Sequence, residues 1–317
     1  MKKTLFTIIA AASLVACTKN EVVDTLAPEA ISFDNTFVDN ATKTTDNSFS
    51  ATDLPESFVV YGTTQHGTED AVSIFDAVAV SKNGGVYTYA PEYTQYWIEG
   101  NAYKFAALVN ADPTKVDCTD LLPTSLVYTA AYATDGTVED TPDLMYATAT
   151  ATGLAASNPD VAFTFNHLLA NIKFTLKNVM TYNPEENLYE YALTGIQINN
   201  AYTSGTCTLD TKVWSNQDTA NKVVKFGDVA YVGEEGTLSA SSDYARLLIP
   251  AEYDALNITF TLTTTLNGEV VNVENITLTP AVELEAGKAY NFVVEKGNPG
   301  EQIKFTVATV NNWETGF

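Results

Sequence analysis

The sequence predicts an all-β protein built from β-sandwiches, with few or no long helices. Apolar and polar residues alternate with a period of two in many short segments rich in Thr, Tyr, Val and Phe, the pattern of half-buried strands. Turn-forming Asn, Gly and Pro residues separate these segments, and many short strands at regular spacing are typical of sandwiches. The predicted strands include residues 31–33, 57–61, 85–89, 103–107, 161–165, 172–176, 258–263, 270–278 and 290–294.

The clearest hairpin is centred on Asn267-Gly268. Both residues can adopt a positive φ, which a two-residue type I′ turn requires at its central positions. We therefore expect residues 261–266 and 269–273 to pair as antiparallel strands.

Helical periodicity is nearly absent, and residues 120–133 have room for one or two helical turns at most. The strand rhythm is interrupted over residues 147–160, where an Ala-Thr repeat is followed by Asn158-Pro159. We place a domain boundary there, which predicts an N-terminal domain of residues 44–155 and a C-terminal domain of residues 156–317.

Composition narrows the range of functions. The 317 residues include 16 Lys and Arg against 39 Asp and Glu, a formal net charge of −23. Such a surface lacks the basic groups that neutralise phosphates, which excludes a nucleic-acid partner. An apolar fraction of 45% argues against disorder, and two histidines leave little imidazole for catalysis.

Catalytic and metal-binding motifs are missing from the sequence. There is no G-x-S-x-G, phosphate-binding G-x-x-x-x-G-K-[ST], G-x-G-x-x-G or H-E-x-x-H motif, and no Cys–His pair has metal-ligand spacing. We predict a protein that is not an enzyme and has no cofactor or metal. His66 is expected to face solvent, and His167 to be a hydrogen-bonded residue at the end of a strand.

One acidic loop contains Asp135, Glu139, Asp140 and Asp143. It lacks the alternating order of a known calcium loop, so we favour a solvated connection over a calcium site.

The N-terminus has the features of an export signal. Met1-Lys2-Lys3 precedes a short apolar run that ends at Ala16-Cys17. Small residues before a cysteine resemble a bacterial lipobox, which predicts removal of residues 1–16 and lipidation of Cys17; an ordinary signal peptide is the alternative. No later stretch approaches 18 continuous apolar residues, so we expect attachment to a membrane through lipid alone.

Two further sets of side chains have open interpretations. Tyr93, Tyr96 and Trp97 could stack on a glycan, although core packing is the more frequent role of such aromatics. Cys118 and Cys207 could pair in an exported protein or remain as free thiols.

The two ends of the chain carry strands that could detach. Residues 31–37 follow a polar tether, and residues 302–310 form an alternating strand after a Gly- and Pro-containing segment. Ile303, Phe305 and Val307 lie on one face of that C-terminal strand, which makes it a candidate donor in a strand exchange.

The order of several motifs resembles the fimbrillin-like family of Bacteroidetes, the subunits of type V pili. The motifs are the lipobox at Cys17, Ile31-Ser32-Phe33 before Thr42-Lys43, Phe58-Val59-Val60-Tyr61-Gly62, Trp97 with Tyr103-Lys104-Phe105-Ala106-Ala107, Asp143-Leu144-Met145-Tyr146-Ala147, Phe163-Thr164-Phe165-Asn166-His167 with Ile172-Lys173-Phe174, Leu284-Glu285-Ala286-Gly287-Lys288-Ala289-Tyr290, and Ile303-Lys304-Phe305 with Trp313. The resemblance implies two tandem transthyretin-like β-sandwich domains and export as a lipoprotein. It also implies cleavage by a trypsin-like surface protease, here between Lys43 and Thr44, with removal of a propeptide of residues 17–43.

The leading hypothesis is a structural subunit of a surface fimbria, assembled by protease-triggered strand exchange and contributing to adhesion. Its partners would be other pilus subunits, the protease and, before processing, the outer membrane. Alternatives are a glycan-binding surface lipoprotein and a pilus anchor or tip subunit that keeps lipidated Cys17. A glycosidase is disfavoured.

Overall fold

The computed structural model describes residues 28–34, 37–38, 55–130, 132, 141–154, 157–178, 189–218, 222–232, 238–241 and 245–310. In these residues the chain forms strands, with two short 3-10 helices at Pro91–Tyr93 and Pro113–Lys115. The same residues contain no helix long and apolar enough to cross a membrane. The predicted all-β class is confirmed.

The first nine strands are contributed by residues up to 167. They are β1 (Phe37–Val38), β2 (Ser57–His66), β3 (Val72–Asn83), β4 (Val86–Tyr89), β5 (Asn101–Val109), β6 (Val116–Thr119), β7 (Leu122–Thr129), β8 (Met145–Thr152) and β9 (Thr164–His167).

The rest of the chain forms fourteen more strands among the described residues. They are β10 (Ala170–Asn178), β11 (Tyr189–Ala201), β12 (Ser204–Thr208), β13 (Val213–Asp218), β14 (Lys222–Lys225), β15 (Val229–Val232), β16 (Leu238–Ser241), β17 (Arg246–Leu248), β18 (Ala251–Tyr253), β19 (Ile258–Leu266), β20 (Glu269–Leu278), β21 (Val282–Leu284), β22 (Ala289–Lys296) and β23 (Lys304–Val310).

A seven-stranded sheet, in the order β1-β9-β8-β5-β2-β3-β4, organises the N-terminal half. Because side chains alternate between the two faces of a strand, the sheet buries apolar groups on both sides. On β5, Phe105 belongs to one core, with Phe58, Val60 and Phe163. Its neighbour Ala106 belongs to a second, larger core.

The larger core is enclosed mainly by the C-terminal strands. Five strands form the sheet β16-β10-β22-β23, with β17 also paired to β10, and five form β14-β11-β19-β20, with β15 paired to β11. A four-stranded sheet, β13-β12-β7-β6, and the pair β18-β21 complete the arrangement.

The predicted hairpin is confirmed. Asn267 and Gly268 have φ values of 49° and 83°, and Leu266 pairs with Glu269 across the turn between β19 and β20.

Two segments differ from the simplest expectation: one that had room for a helical turn is a strand, and the expected interruption at the Ala-Thr repeat was wrong. The segment that had room for a helical turn forms β7, because its apolar side chains Leu126 and Tyr128 reach the larger core while its backbone pairs with β6 and β12. The Ala-Thr repeat does not interrupt the strands but forms β8, whose threonines at 148, 150 and 152 are exposed.

Strand pairing crosses the proposed boundary at residue 155. β9 follows that residue yet pairs with β8, and β12 of the C-terminal half pairs with β7 of the N-terminal half. The change of sheet therefore does not coincide with residue 155, and the division into two transthyretin-like domains stays a prediction.

Cys118 and Cys207 are both free. Cys118 is exposed, whereas Cys207 is buried, and burial raises the pKa of its thiol to about 12.

Candidate functional site

The candidate site is a groove filled by the N-terminal segment, defined here as residues 28–34 and 37–38. Ile31 and Phe33 of this segment are each only 1% exposed. The Phe33 ring lies in a pocket of five aromatic rings at centroid distances of 5.6–6.1 Å, formed by Phe58, Phe75, Tyr89, Phe105 and Phe163. Phe33 is thus a central side chain of the first core.

Backbone hydrogen bonds hold the N-terminal segment on two sides. On one side, the Ile31 amide donates to the Gln95 carbonyl at 2.8 Å, and Phe33 forms an antiparallel bridge with Tyr87 of β4. On the other side, the Val161 amide donates to the Ser32 carbonyl at 2.8 Å, in a parallel bridge between Phe33 and Val161. The segment therefore lies between β4, at one edge of the sheet, and the chain that enters β9.

Polar side chains on the loop before β9 also contact this segment. Oε2 of Glu29 accepts hydrogen bonds from the Asn158 amide at 2.7 Å and from Nδ2 of Asn158 at 3.0 Å. The hydroxyl of Ser32 donates to Oδ1 of Asp160. Every one of these contacts is non-covalent, so the segment is retained by its packing and by its connection to the rest of the chain.

The predicted donor strand is β23, which begins at Lys304, two residues later than expected. It occupies the edge of its sheet and pairs antiparallel with β22. Ile303, Phe305 and Val307 are half-buried and pack against the larger core. The Phe305 ring lies 5.7 Å from the ring of Phe292.

An ion-pair cluster joins β23 to its sheet. Glu295 on β22 lies 3.2 Å from the ammonium group of Lys304 and 3.2 Å from that of Lys177 on β10. Hydrogen bonds from Lys304 and Lys177 lower the pKa of Glu295 below the ordinary glutamate value. The Lys304 side chain is 70% exposed, so its part of the cluster is a surface interaction.

The three aromatics considered for glycan stacking do not share an exposed face. Trp97 is 8% exposed and packs against Tyr103, with the ring centroids 4.7 Å apart, whereas Tyr93 and Tyr96 are 47% and 49% exposed. The Trp97 ring thus belongs to the first core, which corrects its assignment as a glycan contact.

The sequence had indicated that Asp143 lies in a solvated connection, and this expectation was wrong. Asp143 is fully buried, and its Oδ2 lies 2.7 Å from Nδ1 of His167. His167 is the last residue of β9, which confirms its prediction as a hydrogen-bonded residue at a strand end. Sequence reasoning missed the pairing, although the apolar residues directly after Asp143 were a signal of burial.

His66 is exposed, as predicted, and its Nδ1 lies 2.7 Å from Oδ1 of Asn101.

Within the described parts of the chain, no group of three His, Cys, Asp or Glu side chains could hold a metal ion. The predicted lipidation site Cys17, the processing site Lys43-Thr44 and the loop residues Asp135, Glu139 and Asp140 lie outside the described residues.

Comparison with known proteins identifies the fold and the family. The model of the fimbrillin-like family matches residues 42–313. A fimbrial protein from Bacteroides vulgatus ATCC 8482 is 13% identical, with a TM-score of 0.63 over 90% of this chain and 99% of that chain. A candidate cell adhesion protein from Bacteroides ovatus ATCC 8483 is 18% identical, with a TM-score of 0.53 over 92% of this chain and 99% of that chain. No curated protein matches the sequence significantly.

Proposed function

The chain belongs to the fimbrillin-like family, and we propose that it is a structural subunit of a surface fimbria, assembled by strand exchange after proteolysis. The observation that carries this proposal is the position of Phe33, which fills a five-ring pocket from a segment held by non-covalent contacts and by its connection to the rest of the chain. Such a segment can be removed to open the pocket that it fills. The role of the N-terminal segment is therefore structural rather than catalytic.

Loss of the N-terminal segment would create a binding site. Ile31 and Phe33 each contribute about 1.5–3 kcal/mol through burial, so their departure leaves an apolar groove that is open to water. The same loss removes the bridges of Phe33 to Tyr87 and Val161. Unpaired backbone next to an apolar groove is a template for the addition of a strand from another chain.

Proteolysis between Lys43 and Thr44 would supply the trigger. This position follows β1, so a cut there separates the whole N-terminal segment from the body of the protein. Before the cut, the segment is held at high effective concentration by its own chain. Afterwards it dissociates as an independent peptide, and polymerisation waits for that step.

The C-terminal strand has the properties of a donor. β23 is an edge strand, and its apolar residues Ile303, Phe305 and Val307 are only half-buried where they lie. Transfer to the groove of a neighbouring subunit would bury these side chains more completely and would replace the backbone pairing that β23 leaves.

Surface location agrees with the family and with the fimbrial protein that shares the fold. For this chain, we propose export as a lipoprotein modified at Cys17, attachment of the precursor to the outer membrane by that lipid, and release by a trypsin-like surface protease. The partners are then other pilus subunits, and adhesion is a property of the assembled fibre.

The N-terminal residue of the protein in fibres sheared from cells tests this function. Thr44 at the N-terminus of polymerised subunits is the expected result. Polymers whose subunits all retain lipidated Cys17 would contradict the proposed trigger and would favour a role as an anchor.

A further inference from the structure

The N-terminal segment and the donor strand share one apolar triplet. The N-terminal segment contains Ile31-Ser32-Phe33, and the C-terminal strand contains Ile303-Lys304-Phe305. In an extended strand, residues i and i+2 point to one face, so each triplet presents an Ile and a Phe side by side with one polar residue on the opposite face. A groove shaped for the first triplet therefore has the shape for the second.

The two phenylalanines have unequal surroundings. Phe33 is 1% exposed, within reach of five aromatic rings. Phe305 is half-buried at a sheet edge and, among the described rings, is close to that of Phe292. Transfer of Phe305 into the pocket of Phe33 would increase its burial, which favours the exchanged position.

The middle residue of each triplet is also informative. Ser32 donates a hydrogen bond to Asp160, which is an exposed residue that stays with the body after cleavage. At the equivalent position of the donor strand stands Lys304, the one charged residue of segment 302–310. A cation in the place of Ser32 would meet the Asp160 carboxylate, in a chain whose full sequence has a net charge of −23.

We propose that β23 of a second copy of this chain enters the groove in one register, with Ile303 in the place of Ile31, Phe305 in the place of Phe33, and Lys304 against Asp160. This inference rests on the proposed function and adds to it the identity of the partner and the register of the exchange. The incoming strand runs in the same direction as the segment it replaces.

A disulfide ladder tests the register. The full chain carries Asp160→Cys and Lys304→Cys together with Cys118→Ser, which removes the exposed native thiol, and is processed and assembled in its host cell. Ser32 and Asp160 are close enough to share a hydrogen bond, so cysteines at these places in the fibre lie within reach of a disulfide. We expect fibres that stay covalently linked on a non-reducing gel and separate into monomers after reduction.

The matched control pairs Asp160→Cys with Thr306→Cys, in the same Cys118→Ser background. Thr306 would stand opposite Asp160 if the strand were shifted by two residues, with Phe305 in the place of Ile31. A ladder from the Thr306 variant and none from the Lys304 variant overturns the proposed register, while strand exchange itself stands. Fibres without a ladder from either variant overturn it as well. Unmodified chains that are processed but stay monomeric contradict the proposed function instead.

Charge reversal provides a second readout that does not depend on cysteine chemistry. In a Glu295→Gln background, which removes the ion pair between Lys304 and Glu295 in the docked strand, Asp160→Lys or Lys304→Asp alone should slow assembly about two- to fivefold, as expected for an exposed ion pair, and the double variant should restore the rate. Two effects that simply add in the double variant overturn the contact between these residues. Circular dichroism of each precursor separates slow assembly from loss of folding.

Discussion

Nδ1 of His167 lies 2.7 Å from Oδ2 of Asp143, and the two side chains are 2% and 0% exposed. Asp143 precedes β8 and His167 ends β9, so this contact links two paired strands next to the groove of the N-terminal segment. A buried polar pair is costly to break, because removal of one partner leaves the other polar group in the core without this hydrogen bond.

His167→Leu should therefore lower the free energy of unfolding by about 3–5 kcal/mol, since it leaves the Asp143 carboxylate in the core without the imidazole. Urea denaturation of the precursor at neutral pH measures the change. His66→Leu is the matched control: His66 is exposed, and loss of its hydrogen bond to Asn101 should cost about 0.5–1.5 kcal/mol, clearly less than the His167 substitution. Equal effects of the two substitutions would show that the buried pair does not stabilise the fold.

Phe33→Ala should destabilise the precursor by about 3–5 kcal/mol, because it empties the five-ring pocket. The exposed Tyr93 offers a control of similar size, and Tyr93→Ala should leave stability within about 0.5 kcal/mol. Denaturation of each uncleaved variant gives the comparison. A loss below about 1 kcal/mol for Phe33→Ala would mean that the N-terminal segment is not a significant part of the core.

Lys43→Ala should block processing and polymerisation together, since a trypsin-like protease needs a basic side chain at the cut. Immunoblots of whole cells should then show precursor in place of the fimbrial ladder. Lys115→Ala removes an exposed lysine elsewhere in the protein and should leave the ladder unchanged. A normal ladder from the Lys43→Ala chain would refute cleavage at this site as the trigger.

Phe305→Glu should abolish donation by β23, because a carboxylate cannot enter an apolar pocket without a large desolvation cost. Processing to Thr44 should continue, since the groove and the cut are untouched. Ala308→Glu adds the same charge at an exposed position of the same strand and should be tolerated. Deletion of residues 302–317 should reproduce the Phe305→Glu phenotype. Long fibres from either defective chain would exclude β23 as the donor.

Glu295 should make the docking of β23 sensitive to acid. Because Lys304 and Lys177 lower its pKa in the folded protein, Glu295 stabilises the fold above the ordinary glutamate pKa of about 4.3 and loses that contribution as the pH falls through the lowered value. The stability difference between the wild-type chain and Glu295→Gln should thus shrink between neutral pH and acid pH. Glu283→Gln, at an exposed position, is the control, and a difference independent of pH for Glu295→Gln would contradict the prediction.

Local chemistry allowed several elements to be predicted from sequence. The Asn267-Gly268 turn could be identified because few residue pairs adopt two consecutive positive φ values without strain. Alternation along residues 258–263 indicated β19. The same kind of alternation along residues 302–310 placed Phe305 and Val307 on one face of β23. The strand at residues 147–152 was not predicted, because alternating Ala and Thr give little contrast between apolar and polar side chains. Its formation depends on pairing with β5.

By itself, the sequence determined the all-β class, the best hairpin, the acidic surface and the family resemblance, since these follow from period, turn chemistry, net charge and the order of motifs. Tertiary structure alone decided which side chains meet: that Phe33 is enclosed by rings from distant strands, that Trp97 lies in the core, and that Asp143 finds His167. The reason is that burial and pairing are set by strands far apart in the chain, and no local pattern records the partner across a sheet.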